Sequence, residues 1–105
     1  MKNVILSADG DRMVWSVPDV VAANLEEYCM EFCCRWLRES PDAARYRTPL
    51  ESGEVLCCYN ESDFIKYLDQ FLFPGQPCVF VENIGDMSLE LPVPERYRDC
   101  PEFNF

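Results

Sequence analysis

Apolar and polar residues alternate at the start of the chain in a pattern that predicts a β-hairpin. Residues 2–7 contain the apolar run Val4 to Leu6, and in residues 12–17 every second side chain is a large apolar one. A spacing of two is typical of a strand that buries one face. Gly10 lies between the two segments and permits the positive φ angle that many tight turns require, so we expect a hairpin turn there.

A different spacing, close to that of an α-helix, follows over residues 18–39. One apolar stripe contains Val21, Leu25, Tyr28, Phe32 and Trp36, and a second stripe further round the helix contains Ala23, Met30, Cys34 and Leu37. Together they cover far more than the roughly 100° of apolar surface found on a one-sided surface helix. We therefore expect this helix either to be covered on two sides or to present Met30, Cys34 and Leu37 to a partner.

Shorter elements follow in the second half of the chain. The apolar run at residues 55–59 predicts a short buried strand, and the run at 78–82 predicts another. Between them, we expect Asn60 to cap a second helix over residues 61–72, with Asp63 at the third helical position.

The predicted order of elements is β-β-α-α-β-α-β-β, counting a short helix at residues 43–46 and a candidate edge strand at 88–91. This order predicts an α+β fold, with a mixed or antiparallel sheet of about four to five strands and two main helices packed on it. Residues 1–105 are expected to form one domain. The Pro-containing segment 84–105 ends in several aromatic residues, so we expect it to pack back on the domain.

Charge narrows the range of partners. The chain carries 19 acidic and 9 basic residues, a net charge of −10. Residues 48–95 contain nine acidic residues against Lys66 alone, a net charge of −8. Such a field repels phosphate backbones and anionic lipid, so we predict neither nucleic-acid nor membrane binding. The natural complement is a basic protein surface or a cation, although a charged face also serves solubility alone.

Cysteine usage indicates a reducing compartment. The N-terminal apolar run is too short for a secretory signal, and the seven cysteines include adjacent pairs that make poor disulfide frameworks. We therefore predict a cytoplasmic protein with free thiols, of which Cys100, in a Pro-flanked segment, should be the most exposed.

The thiols also raise the question of a metal site. Cys29 and Cys33 lie four residues apart on one helix face, and with Cys57 or Cys58 they could form a tetrahedral thiolate site. No C-x-x-C spacing supports such a site, and free cysteine most often packs as a small buried apolar residue. We therefore predict no cofactor and no metal, and keep these four residues as candidates.

Histidine is absent, and no phosphate-binding or nucleophile motif is present, which argues against an enzyme. We predict a small acidic protein-binding module, such as an inhibitor, an immunity-like protein or an adaptor, whose partner is a protein, preferably a basic one. The candidate interface consists of Met30, Cys34, Leu37, Glu61, Asp63 and Asp69. Two alternatives remain: a thiol-dependent redox or metal-binding protein, and a structural accessory domain or a homodimer formed through the first helix.

Overall fold

The β-hairpin predicted at the start of the chain is present in the computed structural model, which describes residues 1–86 and 92–105. Strand β1 (Lys2–Ser7) pairs antiparallel with strand β2 (Asp11–Val17). Because side chains alternate along a strand, Ile5 faces the opposite side of the sheet from its neighbours in β1.

Two further strands complete the main sheet. Strand β5 (Val79–Asp86) pairs antiparallel with β2, and strand β6 (Glu102–Asn104) pairs parallel with β1, so that the order is β5-β2-β1-β6. The predicted α+β fold with a mixed sheet is confirmed. The candidate edge strand at residues 88–91 lies outside the described residues.

The hairpin turn depends on an aspartate rather than on the predicted glycine. Asp9 has a φ of 58°, a conformation that Asp tolerates better than most side chains, whereas Gly10 does not have a positive φ. Asn104 of β6 stabilises the turn, because its side chain accepts from the Asp9 amide at 2.9 Å and donates to the Asp9 carboxylate at 3.0 Å. The end of the chain therefore helps to hold the first turn in place.

Two long helical stretches follow the pattern of the sequence. The first helix, residues 19–39, consists of Asp19–Ala23, Leu25–Met30, a π-helical segment Glu31–Trp36, and Leu37–Glu39. Asn24 interrupts it with a φ of −134°. Within the described ranges, no helix is both long and apolar enough to cross a membrane.

The second helix, residues 61–72, consists of an α-helical part, Glu61–Tyr67, and a π-helical part, Leu68–Leu72. Asn60 caps it as predicted: its side chain accepts from the backbone amides of Ser62 and Asp63. The Asp63 carboxylate accepts in return from the Asn60 amide at 2.9 Å, which completes a capping box.

The core lies on both faces of the main sheet. On one face the two helices bury a large cluster that includes Val4, Leu6, Phe32 and Phe64. On the other face the C-terminal segment packs against Ile5 and Val14, through the buried Tyr97 and the half-buried Ile84, Val93 and Cys100. Residues 93–100 therefore form a third layer on this face, whereas β6 belongs to the main sheet itself.

A small second sheet lies apart from the main one. Strand β3 (Arg47–Pro49) pairs antiparallel with strand β4 (Val55–Cys57), and a 3₁₀-helix, Pro41–Tyr46, precedes them. A strand forms at Val55–Cys57 as predicted, but the prediction that it is buried is wrong, since Val55 is 44% and Leu56 49% exposed. The reason is tertiary: β4 pairs with β3 in a two-stranded sheet instead of entering the main sheet.

Leu37 corrects the prediction of a second exposed stripe on the first helix. Met30 is 44% exposed and Cys34 is exposed, but Leu37 is completely buried in the core. The π-helical segment Glu31–Trp36 lies between Met30 and Leu37. Because a π-helix takes about one more residue per turn than an α-helix, residues after the segment are rotated back around the axis. This rotation turns Leu37 away from Met30 and into the core.

Candidate functional site

An aromatic cluster joins the two helices. Phe32 is fully buried, and its ring contacts those of Tyr67 at 5.2 Å and Phe64 at 5.5 Å between centroids. Trp36 lies over Tyr67 at 4.9 Å and over Phe71 at 5.1 Å. Contacts of this kind between aromatic rings fix the distance and angle of the two helices, and so define the surface between them.

A cleft opens on that surface, and we call it the interhelical cleft. Its volume is about 510 Å³, and it is lined by Asn24, Glu27, Tyr28, Glu31, Tyr67 and Leu72. A second, smaller cleft of about 260 Å³ adjoins it and is lined by Glu31, Arg35, Trp36, Glu39 and Ser40. Glu31 contributes to both, so the two clefts follow the same side of the first helix.

Both walls of the interhelical cleft include π-helical residues. Glu31 begins the π-helical segment of the first helix, and Leu72 ends that of the second. Fewer than about 1% of the residues in globular proteins are π-helical. Turns of π-helix occur frequently at functional sites. Two such segments on one cleft therefore mark it out from the rest of the surface.

The charge inside the interhelical cleft is negative. Glu27 and Glu31 lie one turn apart on the first helix, and both are exposed. Glu31 forms an ion pair with Arg35 at 3.3 Å, whereas Glu27 forms none within the described part of the chain. Burial raises the pKa of the Tyr67 hydroxyl, and the negative charge of Glu31 raises it further.

Exposed apolar side chains border the cleft. Leu72, which lines the cleft, is 40% exposed, and Phe71, which contacts Trp36 of the adjoining cleft, is 42% exposed. They lie in the π-helical part that ends this helix. An apolar patch beside carboxylates is the usual arrangement of a protein interface, in which apolar contacts are surrounded by a charged rim.

A cavity of about 590 Å³ elsewhere is larger but chemically less distinctive. It lies where the start of β1 meets the first helix and the C-terminal segment. Its charged side chains are mixed, with Lys2 and Arg96 beside Glu95 and Asp99. It therefore has no preference for either sign of charge, in contrast to the interhelical cleft.

Two of the three acidic residues predicted for the interface, Asp63 and Asp69, have partners inside the protein. The Asp63 carboxylate belongs to the capping box and also accepts from the Tyr46 hydroxyl at 3.3 Å. Asp69 accepts from the backbone amide of Cys78 at 2.8 Å. Glu61 lies in the first turn of the second helix, where a negative charge favours the helix dipole. The structure does not place these three residues in the interhelical cleft.

The thiols predicted as metal candidates do not converge. Cys29 is fully buried, and burial together with the neighbouring Cys33 thiol raises its pKa. Within residues 1–86 and 92–105, no three or more candidate ligands come together in a metal site. Cys34 and Cys58 are the exposed thiols, whereas Cys100 is half-buried, so the prediction that Cys100 would be the most exposed is wrong.

Comparison with known proteins adds no identification: the chain matches no family model, no curated protein and no solved structure. The chemistry of the site therefore has to be interpreted from its own residues.

Sequence reasoning missed the cleft because its walls come from two separate helices. The available signal was the pair Glu27 and Glu31, since like charges four residues apart destabilise a helix by roughly 0.2–0.5 kcal/mol. Neither residue was chosen as a candidate, because the opposite wall, Tyr67 and Leu72, lies far away along the chain.

Proposed function

We propose that the protein is a non-catalytic binding module that takes up a basic segment of a partner protein in the interhelical cleft. The observation that carries this proposal is the combination of two exposed carboxylates, Glu27 and Glu31, with the half-buried ring of Tyr28 in one cleft. An arginine or lysine side chain complements both kinds of group.

The carboxylates would bind the cationic head of such a side chain. Because both carboxylates are exposed, each ion pair with the bound side chain would contribute at most about 1 kcal/mol. Glu27, which has no ion pair within the described residues, can accept without giving up an internal partner. Glu31 can accept by exchanging its exposed contact with Arg35, which at this degree of exposure costs little.

Tyr28 would bind the same side chain through its ring. A cation over an aromatic face is attracted by roughly 0.5–2 kcal/mol, and an arginine plane also stacks on such a ring. Tyr28 is half-buried and lines the cleft from the first helix, whereas Tyr67 on the opposite wall is only 4% exposed and its ring packs against Phe32 and Trp36. An arginine that stacks on Tyr28 is therefore the preferred anchor.

The surroundings of the cleft suit a longer segment around that anchor. The exposed Phe71 and Leu72 offer apolar contacts on one side, and the adjoining cleft continues past Trp36 to Glu39 on the other. The net charge of −10 would steer a basic partner over longer distances at low salt.

A titration by nuclear magnetic resonance tests this assignment. A short arginine-rich peptide should shift the amide signals of Tyr28, Glu31 and Tyr67 first, and the shifts should weaken as salt is raised. A peptide with glutamate in place of arginine should leave these signals unchanged. Shifts spread evenly over all acidic surfaces would contradict a defined site.

The proposal also covers location and assembly. We propose a cytoplasmic protein, because all seven cysteines are free thiols, which suits a reducing compartment. A homodimer formed through the first helix would need Met30, Cys34 and Leu37 at its interface. Leu37 is buried in the core, so it cannot contribute to such an interface. A partner protein is therefore preferred to a second copy.

A further inference from the structure

The chain contains two pairs of adjacent cysteines, and they differ in geometry. Cys33 and Cys34 lie in the π-helical segment of the first helix, and their sulfur atoms are 3.7 Å apart. Cys57 and Cys58 lie at the end of β4, where successive side chains point to opposite sides. Within the described residues no contact joins the sulfurs of this second pair.

The distance between the first two sulfurs is that of a chelating pair. Two thiolates bound to one tetrahedral zinc ion, each at about 2.3 Å, are separated by about 3.8 Å. The observed 3.7 Å therefore matches the separation that such an ion requires. Cys34 is exposed and Cys33 is half-buried, so an ion can approach from solvent.

The neighbours of the pair hold the inner thiol in position. The Cys33 thiol lies 3.9 Å from the backbone carbonyl oxygen of Met30 and interacts with the hydroxyl of Tyr59. Burial raises the pKa of Cys33, and the contact with Cys34 raises it further. A thiol has to lose its proton to become a metal ligand, so binding of an ion at this pair releases protons.

We propose that Cys33 and Cys34 form a two-thiolate binding site for a thiophilic divalent cation of the Zn²⁺ and Cd²⁺ class. Two S–H bonds break and two metal–sulfur bonds form, with the release of two protons and no change of oxidation state. No third protein ligand converges on the pair among the described residues, so water completes the coordination. The site is separate from the interhelical cleft and does not depend on the function proposed for it.

Cadmium titration of the full chain in a thiol-free reductant tests the site. The ultraviolet charge-transfer band of thiolate-bound Cd²⁺ should saturate at one ion per chain, and Cd²⁺ should protect two thiols from alkylation. C34S should weaken Cd²⁺ binding at least about tenfold. C58S is the matched control, because Cys58 is also exposed and also the second cysteine of an adjacent pair, and it should bind as the unmodified chain does.

Cys34 is exposed, so its substitution should leave the core intact. Circular dichroism of the C34S and C58S variants verifies that both are folded. Equal loss of Cd²⁺ binding in C34S and C58S would overturn the proposal, because binding would then be a general property of the seven thiols. Retention of the full charge-transfer band in a C33S/C34S double variant would overturn it as well.

Discussion

The rotation produced by the π-helical segment predicts that Leu37 and Met30 respond very differently to truncation. Both residues belong to one stripe of an ideal α-helix, and they are of similar size and apolarity. In the structure Leu37 is completely buried, whereas Met30 is 44% exposed. Substituting each by alanine in turn therefore separates the observed helix from a regular α-helix.

The expected magnitudes follow from burial. Leu37→Ala removes buried methyl groups and leaves a cavity, which costs roughly 2–5 kcal/mol. Met30→Ala removes a half-exposed side chain without creating a cavity and should change the free energy of unfolding by no more than about 1 kcal/mol. For a chain of 105 residues, whose total stability is of the order of 5–15 kcal/mol, the first loss is a large fraction.

Urea unfolding followed by circular dichroism measures both changes. With a denaturant slope of about 1–3 kcal/mol per M, Leu37→Ala should lower the midpoint by at least about 0.7 M. Met30→Ala should lower it by no more than about half as much as Leu37→Ala does, because the same slope applies to both variants. An unchanged slope in both variants would confirm that the difference lies in the folded state. Equal shifts for the two variants would refute the rotation of the helix by its π-helical segment.

Three further predictions concern the cap, the aromatic cluster and the C-terminal layer. Asn60→Ala removes the capping box and should lower the free energy of unfolding by about 0.5–2 kcal/mol in urea unfolding. Phe32→Ala empties the centre of the aromatic cluster and should cost about 3–5 kcal/mol in the same assay. Hydrogen bonds from Arg96 and Tyr97 hold the pKa of Glu82 below its usual range. The Glu82 carboxylate therefore stabilises the fold at pH values above the pKa that Glu82 has in the unfolded chain. This stabilisation is lost as pH falls through the pKa that Glu82 has in the folded protein. The protection of the Tyr97 amide from hydrogen exchange, relative to the intrinsic exchange rate at each pH, should decrease over that interval, and E82Q should abolish this pH dependence.

Several elements could be predicted because local interactions decide them. The second strand of the hairpin is predicted because apolar side chains recur at every second position in residues 12–17. The start of the second helix is predicted because the side chains of Asn60 and Asp63 satisfy its first backbone amides. The pattern predicts the position of the turn but favours Gly10 for the positive φ, which Asp9 has instead. The contact that stabilises Asp9 comes from Asn104, which lies far away along the chain.

The remaining features depend on contacts that no local pattern contains. The apolar run at 55–59 matches a buried strand, but its exposure is decided by the small sheet that it forms with β3. The burial of Leu37 depends on a change of helical period that apolar spacing does not indicate. The interhelical cleft requires Glu31 and Tyr67 to face each other, and only packing of the two helices brings them together.

The most direct test of the proposed function compares two variants with the same change of charge. E27Q/E31Q removes two carboxylates from the interhelical cleft, and E51Q/E54Q removes two exposed ones from the turn between β3 and β4. Calorimetric titration with the arginine-rich peptide should show a loss of affinity of at least about tenfold in the first variant, which corresponds to about 1.4 kcal/mol. The second variant should lose less than about twofold, since distant exposed charges are largely screened by salt. Equal losses in both variants would show that net charge alone attracts the peptide, and would contradict a binding site in the cleft.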